Sequence, residues 1–282
     1  MPSLNQASFI DASIDSVLSQ SYRRIELIVA DGGSNDGTIA VLKQKAAEDS
    51  RLRWLSEPDS GPANALNKAV ARARGTMMGW LNSDDVYTEG AVFRAVTALE
   101  ANPSWLMAYG HGQHIDAESR PLNNYPTLPP SWPISQFTQG CFICQPTVFS
   151  RWSMWVMLGK LDENLKTAFD FEYWLRAFLA FPDRIGFVDS VQAHSRLHEA
   201  CLTMRLRRTV ALEGMEVLAR HLDSAPKEWL LTYVIELLAQ PASRQDIGNL
   251  RQHVMDTLAV VRPLLKQEDL RELEFRLDEL VK

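Results

Sequence analysis

A chain of 282 residues, 46% hydrophobic and 23% charged, has the size and make-up of one large α/β domain, or of one domain with a smaller appendage. Its formal net charge of −6 argues against a nucleic-acid partner, which would need a basic face. No apolar run approaches the length of a bilayer-spanning helix, and no signal peptide is expected.

The first half alternates strand and helix. RIELIVA (24–30) is a short β-rich apolar run closed by the turn DGGSNDG, and TIAVLKQKAAE follows with helical spacing, capped by Asp36 or Thr38. RLRWLSEP is the next strand, ended by Pro58. GPANALNKAVARARG reads as a helix with Gly75 as its C-cap. TMMGWL is a near-continuous apolar strand, of the kind found inside a parallel sheet covered on both faces. A helix, AVFRAVTALEANP, and a strand, WLMAYG, complete a rhythm that predicts a doubly wound α/β sheet, with its ligand at the carboxyl edge.

From Asp116 to Pro146 a proline-rich, polar stretch predicts a long irregular excursion. Within it Cys141 and Cys144 form a C-x-x-C lacking the second pair that zinc requires, and their apolar setting points to buried thiols in a reducing cytosol. After Gly159 comes a turn and a helix with acidic groups at its start. Beyond residue 202 the pattern is helical almost throughout, which divides the chain into residues 1–202 and a helical extension, 203–282.

Four acidic stations stand out: Asp31, Asp59, the pair Asp84 and Asp85, and Asp170. The first three follow predicted parallel strands, so the fold brings them to one sheet edge. Neighbouring carboxylates about 4 Å apart repel by roughly 1 kcal/mol in bulk water and about 4 kcal/mol near a protein surface. An Asx-type turn capping the next helix, or a divalent cation, would account for such a pair.

The segments PSLNQASFIDASIDSVLSQSY, ELIVADGGSNDGT, SEPDSGPANALNKAVARARG, GWLNSDDVY, GCFICQPTVFSR, GKLDENLKTAFDFEYWLR and SRLH, in this order, resemble the successive motifs of family 2 glycosyltransferases over roughly residues 1 to 203. The resemblance implies an inverting enzyme of GT-A fold, a Rossmann-like, mostly parallel sheet flanked by helices. It implies a nucleotide-diphospho-sugar donor, most readily a UDP-sugar, and a glycan or lipid-linked acceptor. Pro2, Asn5, Asp31, Asp59 and Asn82 then fall on the nucleotide side, and Asp84 and Asp85 on a Mn²⁺ or Mg²⁺ ion. Arg196 and His198 fall near the diphosphate, and Asp170 is the catalytic base. Asn82 departs from the aspartate common at its station. Trp132, Trp152, Trp155 and Trp174 are divided between an acceptor surface and core. The family's first strand would precede Pro2, so the opening MPSLNQ leaves a central strand unaccounted for. The implied setting is cytoplasmic, peripheral at the inner membrane face, with the tail helices available for self-association. Two rivals stand beside this reading: a nucleotidyltransferase, for which no glycine-rich basic loop is found, and a non-catalytic nucleotide- or carbohydrate-binding protein.

Overall fold

The computed structural model describes residues 1–239 and 247–280. In it, strand β1 (Pro2–Ser3) is followed by α1 (Ile10–Leu18), β2 (Leu27–Asp31), α2 (Thr38–Glu48), β3 (Leu52–Ser56) and α3 (Pro62–Val70). β2 lies between β1 and β3 in a parallel sheet, with Pro2 opposite Ala30, Ser3 opposite Asp31, and Leu27 through Asp31 opposite Leu52 through Ser56. Successive side chains of a strand point to opposite faces. Leu27 and Val29 therefore enter one core with Ile10 and Ile14 of α1 and Leu42 of α2, while Ile28 and Ala30 meet Ala65 and Ala69 of α3. Burial on both faces is why this segment is an unbroken apolar run.

The chain continues through β4 (Met77–Gly79), β5 (Val86–Tyr87), α4 (Ala91–Ala101), β6 (Met107–Ile115), β7 (Pro121–Asn124), β8 (Phe149–Arg151), α5 (Trp152–Leu158), α6 (Phe169–Ala180) and β9 (Ile185–Arg196). A second sheet has the order β4-β8-β6-β9-β5, with β7 against β6. β6 and β9 are parallel, and the other pairs are antiparallel, so parallel pairing is confined to the β1–β3 sheet and this one pair. The two sheets are flanked by α1, α2, α3 and α4, so the α/β class is as expected, but the single mostly parallel sheet is corrected to a parallel sheet and a mixed one in which β4 runs antiparallel to β8.

Four local expectations need correction. The helix begun at Pro62 ends at Val70, and Gly75 is not its cap: the N–H groups of Arg74 and Gly75 instead donate to Glu26 Oε1 at 2.5 and 3.0 Å. β4 is three residues long rather than six, with Met77 and Met78 half-buried and Gly79 exposed. The excursion after Asp116 is not wholly irregular, since Pro121–Asn124 pairs with β6. Nor is Asp36 or Thr38 the N-cap of α2, which is Gly37; Asp36 precedes it, its Oδ1 accepting the Thr38 N–H at 3.0 Å.

The chain divides into two compact units, Met1–Pro133 with Phe142–Glu199, and Ile134–Cys141 with Ala200–Lys282. The second contains α7 (Leu202–Arg205), α8 (Arg207–Leu222), α9 (Glu228–Ala239), α10 (Ile247–Val261) and α11 (Gln267–Leu280). Its core gathers Met215, Leu230, Val234, Val254 and Leu273. Gly214 admits the Trp229 ring, whose Nε1 donates to Thr138 O at 2.8 Å. That bond gives residues 134–141 their place in this unit. The expected helical positions Gln240 and Asp246, and the terminal Val281 and Lys282, lie outside the described residues.

Gly186 lies where β9 passes beneath Trp105, and a Cβ there would meet the indole at 1.9 Å. The Gly186→Ala variant is expected to lose about 1–3 kcal/mol in urea unfolding, because the ring must leave its place against a packed sheet.

Candidate functional site

The carboxyl ends of β2 and β3 carry the first cluster. Asp31 is buried, and its Oδ2 accepts the N–H groups of Gly33 and Ser34 at 3.0 and 2.9 Å and the Ser56 hydroxyl at 2.6 Å. The Ser34 hydroxyl donates to Oδ1. A carboxylate has about four acceptor positions, so Asp31 shapes the DGGS loop with nearly all of its capacity. Asp59 is half-buried and adjacent: a Cβ on Gly32 would lie 2.7 Å from its Oδ2. Its Oδ1 accepts the Gly61 N–H at 2.9 Å. Burial, with a smaller contribution from the Asp31 charge, holds the Asp59 carboxyl above its ordinary range. Asn5, in the left-handed region at φ 54°, fastens the same loop by donating its N–H to Ser34 Oγ at 2.7 Å and accepting the Asn35 N–H at 2.9 Å. Pro2 lies one strand away, opposite Ala30.

The second cluster follows β4. The neighbouring carboxylates of Asp84 and Asp85 are separated by pointing them to different partners. Asp85 is 3% exposed; its Oδ1 accepts the Arg196 N–H at 2.8 Å and its Oδ2 faces Asn82 Nδ2 at 3.3 Å. Burial, and then the Asp84 charge, push its carboxyl well above the carboxylate range. Asp85 therefore serves this turn as a buried group that accepts from Arg196 and Asn82. Asp84 remains near the surface, with Oδ2 3.1 Å from His198 Nε2. Its other oxygen takes no protein donor among the described residues.

Arg196, at the end of β9, closes this arrangement from behind. It is 4% exposed, its Nε donates to Asp84 O at 2.8 Å, and its Nη1 donates to Asp116 O at 2.8 Å and Ser119 Oγ at 2.9 Å. The guanidinium is thus fastened through Nε and Nη1 to protein oxygens. Asn82 is similarly occupied: its Oδ1 accepts from Trp80 Nε1 at 3.2 Å and its Nδ2 donates to Gln145 Oε1 at 2.9 Å. Phe9 joins the clusters, its ring 4.6 Å from that of His198 and 5.0 Å beneath the Arg196 guanidinium, in the loop that also carries Asn5.

Asp170 sits in the first turn of α6, its Oδ1 accepting the Phe171 N–H at 2.7 Å. Phe169 beside it stacks on Trp80 with centroids 5.4 Å apart, which ties this turn to the end of β4. Desolvation pushes the Asp170 carboxyl up to about 6. Glu172 points elsewhere and pairs with Arg176 at 2.7 Å. Of the tryptophans, Trp155 and Trp174 are buried and Trp132 is 47% exposed.

The structure thus groups Pro2, Asn5, Asp31 and Asp59 at one place, and Asn82, Asp84, Asp85, Arg196 and His198 at a second. Phe9 links the two, and Trp80 links the second to Asp170. His194, spaced four from His198, is on β9 opposite Val86 rather than on a shared helix face. Phe9, Ser34, Ser56, Trp80 and Gln145 were not singled out; hydroxyls near Asp31 carry a weak sequence signal, while Phe9 and Gln145 carry none because their partners are far away in the chain.

Among the described residues no three His, Cys, Asp or Glu side chains form a protein-only metal site. A hard cation that takes one carboxylate oxygen and completes its shell with phosphate oxygens and water fits the unpartnered oxygen of Asp84.

The family model described as Glycosyl transferase family 2 matches residues 1–165. Escherichia coli chondroitin synthase is 27% identical over 179 residues, covering 62% of this chain and 25% of that protein. An uncharacterized glycosyltransferase of Rickettsia prowazekii (strain Madrid E) is 27% identical over 220 residues, covering 72% of this chain and 64% of that one. The chain spans less than two thirds of the length of either relative. Among solved structures, S. aureus TarS 1–349 in complex with UDP has a TM-score of 0.63 at 16% identity, covering 99% of this chain and 86% of that one. Mannosyltransferase PcManGT from Pyrobaculum calidifontis, in complex with GDP-Man and Mn²⁺, has a TM-score of 0.60 at 16% identity, covering 100% and 79%. These likenesses are of fold, and the fold is GT-A.

The Asp85 carboxyl accepts from the Arg196 N–H and from Asn82 Nδ2, so Asp85→Asn, which turns an amide NH₂ toward one of these donors, should cost stability. Asp85→Ala, which leaves the buried Arg196 N–H without an acceptor, should cost about 1–3 kcal/mol. Urea denaturation of both variants at pH 7 checks the pair.

Proposed function

This chain belongs to glycosyl transferase family 2, and from that premise we propose that it is an inverting, metal-dependent glycosyltransferase using a UDP-sugar donor and a glycan or lipid-linked acceptor. The observation that carries the reading is the placement of Asp31 with Asp59, and of Asp84 with His198, at strand ends joined by the single loop from Asn5 to Phe9. In this reading the nucleotide rests on the loop ordered by Asn5 and Asp31, beside Pro2. The outer carboxyl oxygen of Asp59 is the acceptor for a base N–H, a pairing that favours uracil. Asn82 and Asp85 hold the turn that aims Asp84. Arg196 and His198 act through that turn, as positioning residues.

Asp84 would hold a Mn²⁺ or Mg²⁺ ion, which when bound supplies neutralising charge at the leaving diphosphate. Inversion requires the acceptor hydroxyl to attack the anomeric carbon on the side opposite the diphosphate, and Asp170 takes its proton. Burial raises the affinity of Asp170 for that proton, as a general base needs. The Mn²⁺ and nucleotide-sugar of the Pyrobaculum calidifontis structure and the UDP of the S. aureus structure support the choice of cofactor and donor class. Among the described residues no helix is long and apolar enough to cross a membrane, and the proposed setting is the cytoplasmic membrane face.

A thermal-shift panel of UDP-, GDP- and dTDP-sugars with and without Mn²⁺ tests the donor. Stabilisation by UDP-sugars that disappears with EDTA is expected; equal response to every nucleotide, or none, would count against the reading. Asp170→Asn should lower turnover about 10²- to 10⁴-fold while leaving UDP affinity unchanged. A non-catalytic binder would not respond to the change, and a nucleotidyltransferase would release pyrophosphate instead of UDP. Since the base must be ionised, wild-type turnover should fall about tenfold per pH unit below about pH 6. The linkage has the opposite sign for stability: the raised pKa stabilises the fold below about pH 4, and this contribution is lost as pH rises through about 6. Asp170→Asn should therefore unfold at higher urea than wild type at pH 7.5.

A further inference from the structure

The helical unit opens on Arg205, Arg207 and Arg208, three arginines within a few positions of a chain whose formal net charge is −6. All three line one cavity of about 220 Å³ in that unit, and Met204, Tyr233 and Leu237 complete its wall. A single water needs only about 10–15 Å³ of such space, so the cavity has room for a polyatomic guest. No acid lines it among the described residues, and the acid that pairs with a lining residue is Glu236.

Packing fixes one of these guanidinium groups from behind. Arg208 is half-buried on α8, and its Nε donates to Thr257 Oγ1 of α10 at 2.9 Å. Thr257 is fully buried and donates its own hydroxyl to His253 O at 2.7 Å, so the group that holds Arg208 is itself held. The His253 ring Nε2 lies 2.6 Å from the Tyr233 hydroxyl of α9. Three helices thus set the position of the Arg208 fork, while its Nη1 and Nη2 take no acceptor among the described residues. Arg207 is occupied: its Nη1 donates to Glu236 Oε2 at 2.7 Å, and its Nη2 lies 3.4 Å from Met204 Sδ. The exposed Arg205 guanidinium has no acceptor among the described residues. The cavity therefore presents two uncompensated positive charges, one of them held in place, with N–H donors still unfilled.

We propose that this cavity binds the phosphoryl group of a phosphate monoester, with Arg205 and Arg208 on its oxygens and Met204 and Leu237 against the carbon stem of the ester. Charge selects the class. A phosphoryl group carries about −1.5 to −2 at pH 7 and balances two guanidinium groups, whereas a carboxylate leaves one of them uncompensated. Geometry agrees, because the planar arginine fork meets phosphate oxygens pairwise. The apolar part of the wall favours an ester over inorganic phosphate, which has no carbon to place there. A soluble phosphate ester and a lipid headgroup ending in phosphate share this chemistry.

The test titrates n-butyl phosphate, inorganic phosphate and butyrate into the full 282-residue chain by calorimetry at pH 7.5, with no nucleotide or metal added. Saturable binding of butyl phosphate is expected, several-fold tighter than inorganic phosphate and at least tenfold tighter than butyrate. Arg205→Gln, at an exposed position, should weaken it about tenfold with an unchanged urea midpoint. Arg208→Lys, which keeps the charge and loses the fork, should weaken it as well. Arg220→Gln, on the same helix but outside the cavity, should bind as wild type. Flotation with phosphatidylcholine vesicles, with and without phosphatidate, separates the two sources. Retention on phosphatidate that butyl phosphate releases assigns a lipid headgroup; binding of butyl phosphate without retention assigns a soluble ester. No binding of butyl phosphate, butyrate bound equally well, wild-type binding by Arg205→Gln, or equal loss in all three variants would overturn the proposal. None of these readouts uses the sugar nucleotide, so failure here is distinguishable from failure of the proposed activity.

Discussion

The end of β9 holds the site together. A single residue, Arg196, binds the turn after β4 twice, through its main-chain N–H to the Asp85 carboxyl and through its side chain to Asp84 O, and fastens the loop at Asp116 and Ser119 as well. Two adjacent carboxylates are tolerable here because they do not share an environment. One is enclosed, and burial raises its carboxyl above the carboxylate range; the other is half-buried beside His198. A charged arginine placed under a turn of carbonyl oxygens is a well-satisfied buried cation, and it leaves Asp84 as the outward-facing acid of the pair.

Around this point the sheets differ in how completely they are built. The β1–β3 sheet positions its acids by parallel register, and its loop is fastened across chain distance by Asn5, Ser34 and Ser56. The second sheet is longer and mixed, and its inner edge at β4 is open. At that edge TMMGWL contributes two half-buried residues, Met77 and Met78, and the exposed Gly79 instead of a buried central strand. Asp31 and Asp59 follow β2 and β3 of the first sheet, and Asp84 and Asp85 follow β4 of the second.

Much of the first unit was legible in the chain. Alternating apolar runs and helical spacing located β2, α2, β3, α3 and α4, since each is a local periodic pattern with its own turn signals. The order of the acidic stations located Asp31, Asp59, Asp84 and Asp170. What was misjudged depends on partners distant in the sequence. Gly75 looked like a helix cap because helices often end in glycine, yet Glu26, 49 residues away, takes its N–H. The bond from the Arg196 N–H to the Asp85 carboxyl spans 111 residues and has no local signal in the chain. Residues 134–141 looked like part of a surface loop, but they belong with the tail helices, where Trp229 binds Thr138.

The amino-acid sequence by itself determined the α/β class, the acidic stations and the helical character of the tail, because periodicity and residue order are properties of neighbouring positions. Only the tertiary structure decided that Asp85 is enclosed, that Arg196 fastens the turn after β4, and that residues 134–141 join the tail helices. Those outcomes rest on desolvation and hydrogen-bond geometry, which exist only once residues remote in the chain have been brought within about 3 Å of one another.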